Sequence, residues 1–261
     1  MKRIFFIVFL CVGDLVYGQT NFEKGMIAFN QGLHYDATVF FSRAISKKED
    51  LSTSYMMRGA ALIQLSEFES AGKDIDTSLL VDSTNYLAFV YGGRNLFKQG
   101  LFAEAIVFYD KSIALKLEYE SHFYERAICH MSLLSFDAAM VDFDRAIQLN
   151  PNEYTHYLNR GICKMKLNSF DAALKDFDAA LLIQPNELSY ANKGSVLLKL
   201  GRYEEAISNL TIALSAEPWN DVYNYERGLA YKALGKVELA KKDFRNSAAS
   251  GFVLAKKELK D

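Results

Sequence analysis

Apolar side chains recur every three to four residues along nearly the whole chain, in paired blocks separated by short polar or glycine-containing turns. That spacing keeps the apolar residues on one side of a helix, so the blocks predict amphipathic helices and an all-α fold. Gly100-Leu101-Phe102, Leu134-Ser135-Phe136, Asn168-Ser169-Phe170 and Gly201-Arg202-Tyr203 mark turns within successive helix pairs. The predicted pairs are 19–31 with 35–47, 53–65 with 69–81, 87–99 with 103–115, 121–133 with 137–149, 155–167 with 171–183, 188–200 with 204–216, and 222–234 with 238–250. Beyond Gly251, the residues Phe252, Ala255 and Leu259 form one apolar stripe flanked by lysines, which predicts a solvating cap over 252–261.

The pairs are copies of a single unit. Pro151, Pro185 and Pro218 recur at separations of 34 and 33 residues. In the same register stand Gly25, Gly59, Gly93, Ala127, Gly161, Gly194 and Gly228, and then Ala37, Ala71, Ala105, Ala139, Ala173, Ala206 and Ala240. Four residues after each of those alanines comes a large side chain: Phe41, Ile75, Tyr109, Phe143, Phe177, Leu210 or Phe244. A small residue on each helix lets the two approach closely, and the large one fills the space beside the contact. Proline ends the second helix because it lacks the backbone donor and disfavours a helical residue before it. Seven repeats follow, at 19–51, 52–85, 86–119, 120–153, 154–186, 187–220 and 221–251, giving a solenoid over 19–251. The first three depart most from the pattern, with Glu49, Ser83 and Leu117 where proline is expected.

The clearest copy reads Tyr157-x-x-Arg160-Gly161, then Phe170-x-x-Ala173-x-x-x-Phe177-x-x-Ala180-x-x-x-x-Pro185, and it resembles the tetratricopeptide repeat. The resemblance covers about 19–252 and implies two antiparallel helices per repeat stacked into a right-handed superhelix. It also implies that the first helices line a concave groove through their second, fifth, ninth, twelfth and thirteenth positions. In repeats 1 and 2 these include Phe22, Met26 and Phe29, then Met56 and Ile63; in repeat 3 they are Val90, Arg94, Phe97 and Lys98. Repeats 4 and 5 place Tyr124, Ile128 and Met131, then Leu158, Ile162, Met165 and Lys166 there, while repeats 6 and 7 place Leu198 and Lys199, then Tyr225, Leu229 and Lys232. Methionines and aromatic anchors in a mostly apolar stripe suit an extended or helical peptide, with Arg94 and the lysines available for its carboxylates. Some relatives grip a C-terminal carboxylate with Lys, Asn and Arg, but Phe22 and Met26, or Met56 and Ala60, stand where the first pair would fall.

Composition narrows the function classes. The chain of 261 residues is 50% hydrophobic and 24% charged, with a formal charge of −2, which supplies no basic field for nucleic acid. Lys2 and Arg3 precede the apolar run Ile4 to Val12, and Val16-Tyr17-Gly18 ends in a small residue, so 1–18 reads as a signal peptide cleaved before Gln19. The run is shorter than the roughly 20 residues of a membrane span, and Asp14 interrupts it, against the alternative of an uncleaved anchor. A lipid-modified Cys11 is the other alternative, and the bulky Leu10 before it is unlike such cleavage sites.

Cys129 and Cys163 remain in the mature chain, too few for a disulfide framework. His122 and His156 share a register position one repeat apart, as do the two cysteines, yet no Cys-x-x-Cys or His-Glu-x-x-His spacing supports a metal. Neither His34 nor His130 extends the set. Phosphate loops and a Gly-x-Ser-x-Gly elbow are also missing, so no cofactor or enzyme activity is expected. The sequence therefore points to an exported, most plainly periplasmic, scaffold for a protein or peptide partner in envelope assembly or secretion. The alternative is a self-assembling structural protein, which light scattering at several concentrations separates from a monomer.

Overall fold

The computed structural model describes residues 19–115 and 119–259; the signal segment expected at 1–18 and Leu117 lie outside the described residues. Among the described residues there are fifteen helices and no strand. They run α1 (Asn21–Asn30), α2 (His34–Ser46), α3 (Leu51–Gln64), α4 (Phe68–Val81), α5 (Tyr86–Lys98), α6 (Phe102–Leu115), α7 (Glu120–Ser132) and α8 (Phe136–Leu149). Then follow α9 (Tyr154–Lys166), α10 (Phe170–Ile183), α11 (Glu187–Lys199), α12 (Tyr203–Ala216), α13 (Asp221–Ala233), α14 (Val237–Ala249) and α15 (Val253–Glu258). The chain forms two compact units, the first ending at His122 and the second beginning at Phe123 within α7.

In both units consecutive helices pack as antiparallel hairpins, and the first helices of successive repeats touch: α1 with α3 and α3 with α5 in the first unit, α9 with α11 and α11 with α13 in the second. The small-to-large contact read from the sequence forms the centre of each hairpin. A Cβ on Gly161 would lie 2.7 Å from a carbon of the fully buried Phe177 ring, so no larger residue fits without displacement. Gly25 with Phe41, Gly194 with Leu210 and Gly228 with Phe244 repeat the contact. Most second helices begin with a ring, one residue ahead of the predicted start. Phe136 and Phe170 pack on the hairpin cores, which draws the helix start back to include them.

Every turn from first to second helix has the same geometry. The residue after the helix cap takes a positive φ at Gly32, Ser66, Gly100, Leu134, Asn168, Gly201 and Gly235. The next amide then bonds back five residues, as in Leu33 N to Ala28 O at 2.9 Å and Ser135 N to His130 O at 2.9 Å, closing a Schellman motif. Leu134 holds φ at 58°, where an L side chain crowds its own carbonyl, and its side chain is 74% exposed and contributes little packing. Leu134→Gly is therefore expected to raise stability by about 1 kcal/mol, the strain relieved exceeding the added chain entropy. Urea denaturation checks this, and a loss of stability would mean that the leucine has packing partners worth more than the strain.

The second unit ends in α15. Ala255 is buried there, and with Phe252 and Leu259 it packs against Tyr225, Leu229 and Phe244. No described helix is long and apolar enough to cross a membrane.

Candidate functional site

Buried charges that are satisfied within the fold are not free for a ligand. Arg58, Arg126, Arg160 and Arg227 each stand just before the small residue of a first helix. Their Nε and Nη2 donate to both carboxylate oxygens of Asp74, Asp142, Asp176 and Asp243, sixteen residues on, at 2.6–2.9 Å. The third nitrogen reaches the second helix of the preceding repeat: Arg58 to Ser42 Oγ at 3.0 Å, Arg160 to Asp144 Oδ1 at 2.6 Å, and Arg227 to Thr211 Oγ1 at 3.1 Å. One guanidinium thus ties three helices, and the bidentate fork fixes their spacing. For Arg160, burial alone would lower the pKa, but hydrogen bonds to Asp176 and Asp144 outweigh it and push the value up. The pattern sequence reading passed over is an Arg before the small residue, Gly or Ala, with an Asp sixteen residues later, present in four repeats.

The groove positions fall into three classes of burial. In the first unit Met56, Ile63 and Val90 are buried, whereas Phe22, Met26, Phe29, Arg94 and Phe97 are half-buried and Lys98 is exposed. Phe22, Met26 and Phe29 pack on the cluster around Phe41, and the Arg94 guanidinium lies 5.2 Å from the Tyr91 ring centre. In the second unit Leu158 is buried; Tyr124, Ile128, Met131, Ile162, Met165, Leu198, Tyr225 and Leu229 are half-buried. Lys166, Lys199 and Lys232 are exposed, and Lys232 Nζ pairs with Glu258 at 2.6 Å. The apolar members therefore spend much of their surface in hairpin packing and present only their remaining edges.

Polar groups interrupt that strip at positions the sequence reading did not weigh. Asn159 Nδ2 donates to the Tyr124 hydroxyl at 3.3 Å, joining α9 to α7. Ser195 Oγ donates to Glu226 Oε2 at 2.5 Å, joining α11 to α13. Asn159, Asn192 and Glu226 all hold the sixth position of their first helices, beside the fifth and ninth positions already assigned to the groove. Burial pushes the Glu226 carboxyl up, with the Ser195 hydrogen bond and the charge of Lys199 opposing. Burial likewise raises Tyr124. Recurrence of polar residues at that register position was the available signal.

The titratable groups considered for chemistry lie within the packing. His122 is buried beside the Tyr86 and Tyr119 rings, at 5.8 and 5.4 Å, and His156 is buried 5.2 Å from the Tyr124 ring. His130 is half-buried with Nε2 3.9 Å from Asp142, and His34 stacks edge-on at 5.3 Å from Phe29. Cys129 and Cys163 are free, fully buried thiols pushed up by burial to about 12, far from a reactive thiolate. Among the described residues no three His, Cys, Asp or Glu gather where they could hold a metal ion.

The arrangement is thus a packed hairpin stack with a polar-and-apolar strip along its first helices, and comparisons with known proteins place it. The tetratricopeptide repeat pattern matches residues 156–187, 188–218 and 222–248. No curated protein matches the chain in sequence. Among solved structures it is similar to the C-terminal part of a TPR repeat-containing protein from Cytophaga hutchinsonii, at 18% identity and TM-score 0.70, covering 91% of this chain and 99% of that one. It is also similar to a tetratricopeptide repeat protein from Parabacteroides merdae, at 17% identity and TM-score 0.65, covering 92% and 96%. A third is YrrB, described as a TPR protein with an unusual peptide-binding site, at 23% identity and TM-score 0.62, covering 75% and 97%. At these identities the likeness concerns the fold.

Proposed function

We propose that this chain, a tetratricopeptide-repeat protein, is an exported scaffold that holds a segment of a partner protein along the first-helix face of its repeats, in envelope assembly or secretion. A scaffold rather than an enzyme fits a molecule whose buried aspartates Asp74, Asp142, Asp176 and Asp243 are tied up in hairpin locks. The observation that carries the reading is the strip in the second unit, where Asn159, Ser195 and Glu226 offer hydrogen bonds between half-buried Ile162, Met165 and Leu198. Apolar edges with a few placed polar groups suit an extended peptide, since the edges supply burial and the polar groups fix its backbone. Export draws its support from Lys2, Arg3 and the apolar run Ile4 to Val12 ahead of Gly18.

Substituting the exposed or polar members tests the groove without breaking the core, whereas a charge at the buried Leu158 would unfold repeat 5. A random dodecapeptide display library panned on the chain from Gln19 onward is expected to yield a defined motif. The triple variant N159A/K166E/K199E should bind the selected peptides about tenfold more weakly, with unchanged helical circular dichroism. Selection of no peptide, or undiminished binding by the variant, would sink the groove reading. N-terminal sequencing of the chain from its native cells should begin at Gln19, and a chain still starting at Met1 would remove the cleaved leader.

A further inference from the structure

Each of the buried aspartates Asp74, Asp142, Asp176 and Asp243 is met by an arginine fork. Glu226 is not. It sits in α13 on the same strip as Asn159 and Asn192, half-buried, and it accepts a hydrogen bond from Ser195 Oγ of α11. Among the described residues no lysine or arginine lies within ion-pair distance of it, and Lys199 acts only at longer range. A carboxylate has about four acceptor sites; the serine fills one, and the half-buried position of Glu226 leaves the others only part of their water. A charge held this way costs stability, and a cation donating into the remaining sites recovers that cost.

We propose that Glu226 and Ser195 form a socket for a cationic side chain, a lysine or arginine carried by the partner segment; this rests on the groove reading above. A metal ion fits poorly, because among the described residues no group of three His, Cys, Asp or Glu that could hold one includes Glu226. A neutral backbone amide would fill one acceptor site and leave the charge uncompensated. An ammonium or guanidinium does both, while the Ser195 hydroxyl, already donating to Glu226, supplies no charge of its own.

The dodecapeptides selected on the wild-type chain serve as probes, each paired with a version in which its basic residue is replaced by glutamine. The selected motif is expected to contain a fixed Lys or Arg. Replacing that residue should weaken binding to the wild type about tenfold, and weaken binding to E226Q by less than about twofold, the signature of direct coupling. Stability separates a socket from a structural contact. Because the folded carboxyl is raised, it favours the fold when protonated, at pH below its unfolded value, and that contribution is lost as pH rises through the folded value. E226Q should therefore match or exceed the wild type in melting temperature at pH 7 and lack this pH-dependent loss. A motif with no fixed base, equal affinity of E226Q, or a destabilised E226Q would overturn the socket while leaving the groove standing. Selection of no peptide by the wild type overturns both.

Discussion

Replacing Phe177 with alanine is expected to cost about 3–5 kcal/mol and to make the second unit unfold in two steps. The ring is fully buried in α10 and lies against Gly161 of α9, where even one added carbon would come within 2.7 Å. Both helices already approach as closely as their small residues allow, so they cannot close on the vacated space, and a cavity the size of a phenyl ring remains. In a stack of repeats each unit's stability is its own plus the interfaces to its neighbours. Weakening repeat 5 therefore uncouples α11 to α14 on one side from α8 on the other, which is why two steps are expected. Urea denaturation followed by circular dichroism reads both effects. A shift below about 1 kcal/mol in one transition would mean that the ring is replaceable by neighbouring movement. Repeat 4 supplies a control in nature: Ala127 stands where Gly161 does, packed in the same cluster as Phe143, so a single methyl is tolerated and only larger changes at that place should rival the loss of the ring.

That contact was readable from the sequence because two facing positions, one small and one large, recur with the repeat, and only close helix packing demands such a pair at fixed separation. The helix boundaries came within one or two residues for a similar reason: a Schellman turn at Gly32, Gly100, Gly201 and Gly235 requires positive φ, which glycine supplies. Ser66, Leu134 and Asn168 make the same turn without glycine, so the neighbouring repeats, rather than local preference, reveal it. The groove was less legible. Position within the first helix does not say whether a side chain meets a ligand or the next first helix, since the two share one face; Met56, Ile63, Val90 and Leu158 turned inward and became buried. Glu226 escaped notice because a glutamate on a helix normally faces water, and its burial depends on α11 packing alongside.

The arginine locks give the second large effect, and they show burial deciding the worth of an ion pair within one cluster. Asp176 receives Arg160 Nη2 at 2.6 Å and Lys164 Nζ at 2.7 Å, with only 5% of its side chain exposed. Asp144 receives Nη1 of the same arginine at 2.6 Å, but is 56% exposed. Asp176→Ala should cost about 3 kcal/mol, because Arg160, itself 18% exposed, loses two of its three hydrogen bonds inside a dry hairpin. Asp144→Ala should cost less than about 1 kcal/mol, since water replaces a carboxylate that was already hydrated. Replacing the buried pair together, Arg160→Met with Asp176→Leu, is expected to recover more than half of the Asp176→Ala loss, as apolar packing substitutes for a charge pair that had to be desolvated. Changing pH does not test this from the arginine side. A raised arginine contributes fully below its unfolded value and is lost only as pH climbs through the folded one, and Arg160 is pushed above the ordinary arginine range, beyond any pH at which the rest of the fold survives. Chemical denaturation of the three variants at neutral pH is therefore the measurement. Equal losses from Asp176→Ala and Asp144→Ala would show that the fork is held by charge in water rather than by burial, and would remove the reason for ranking Glu226 apart from the surface acids.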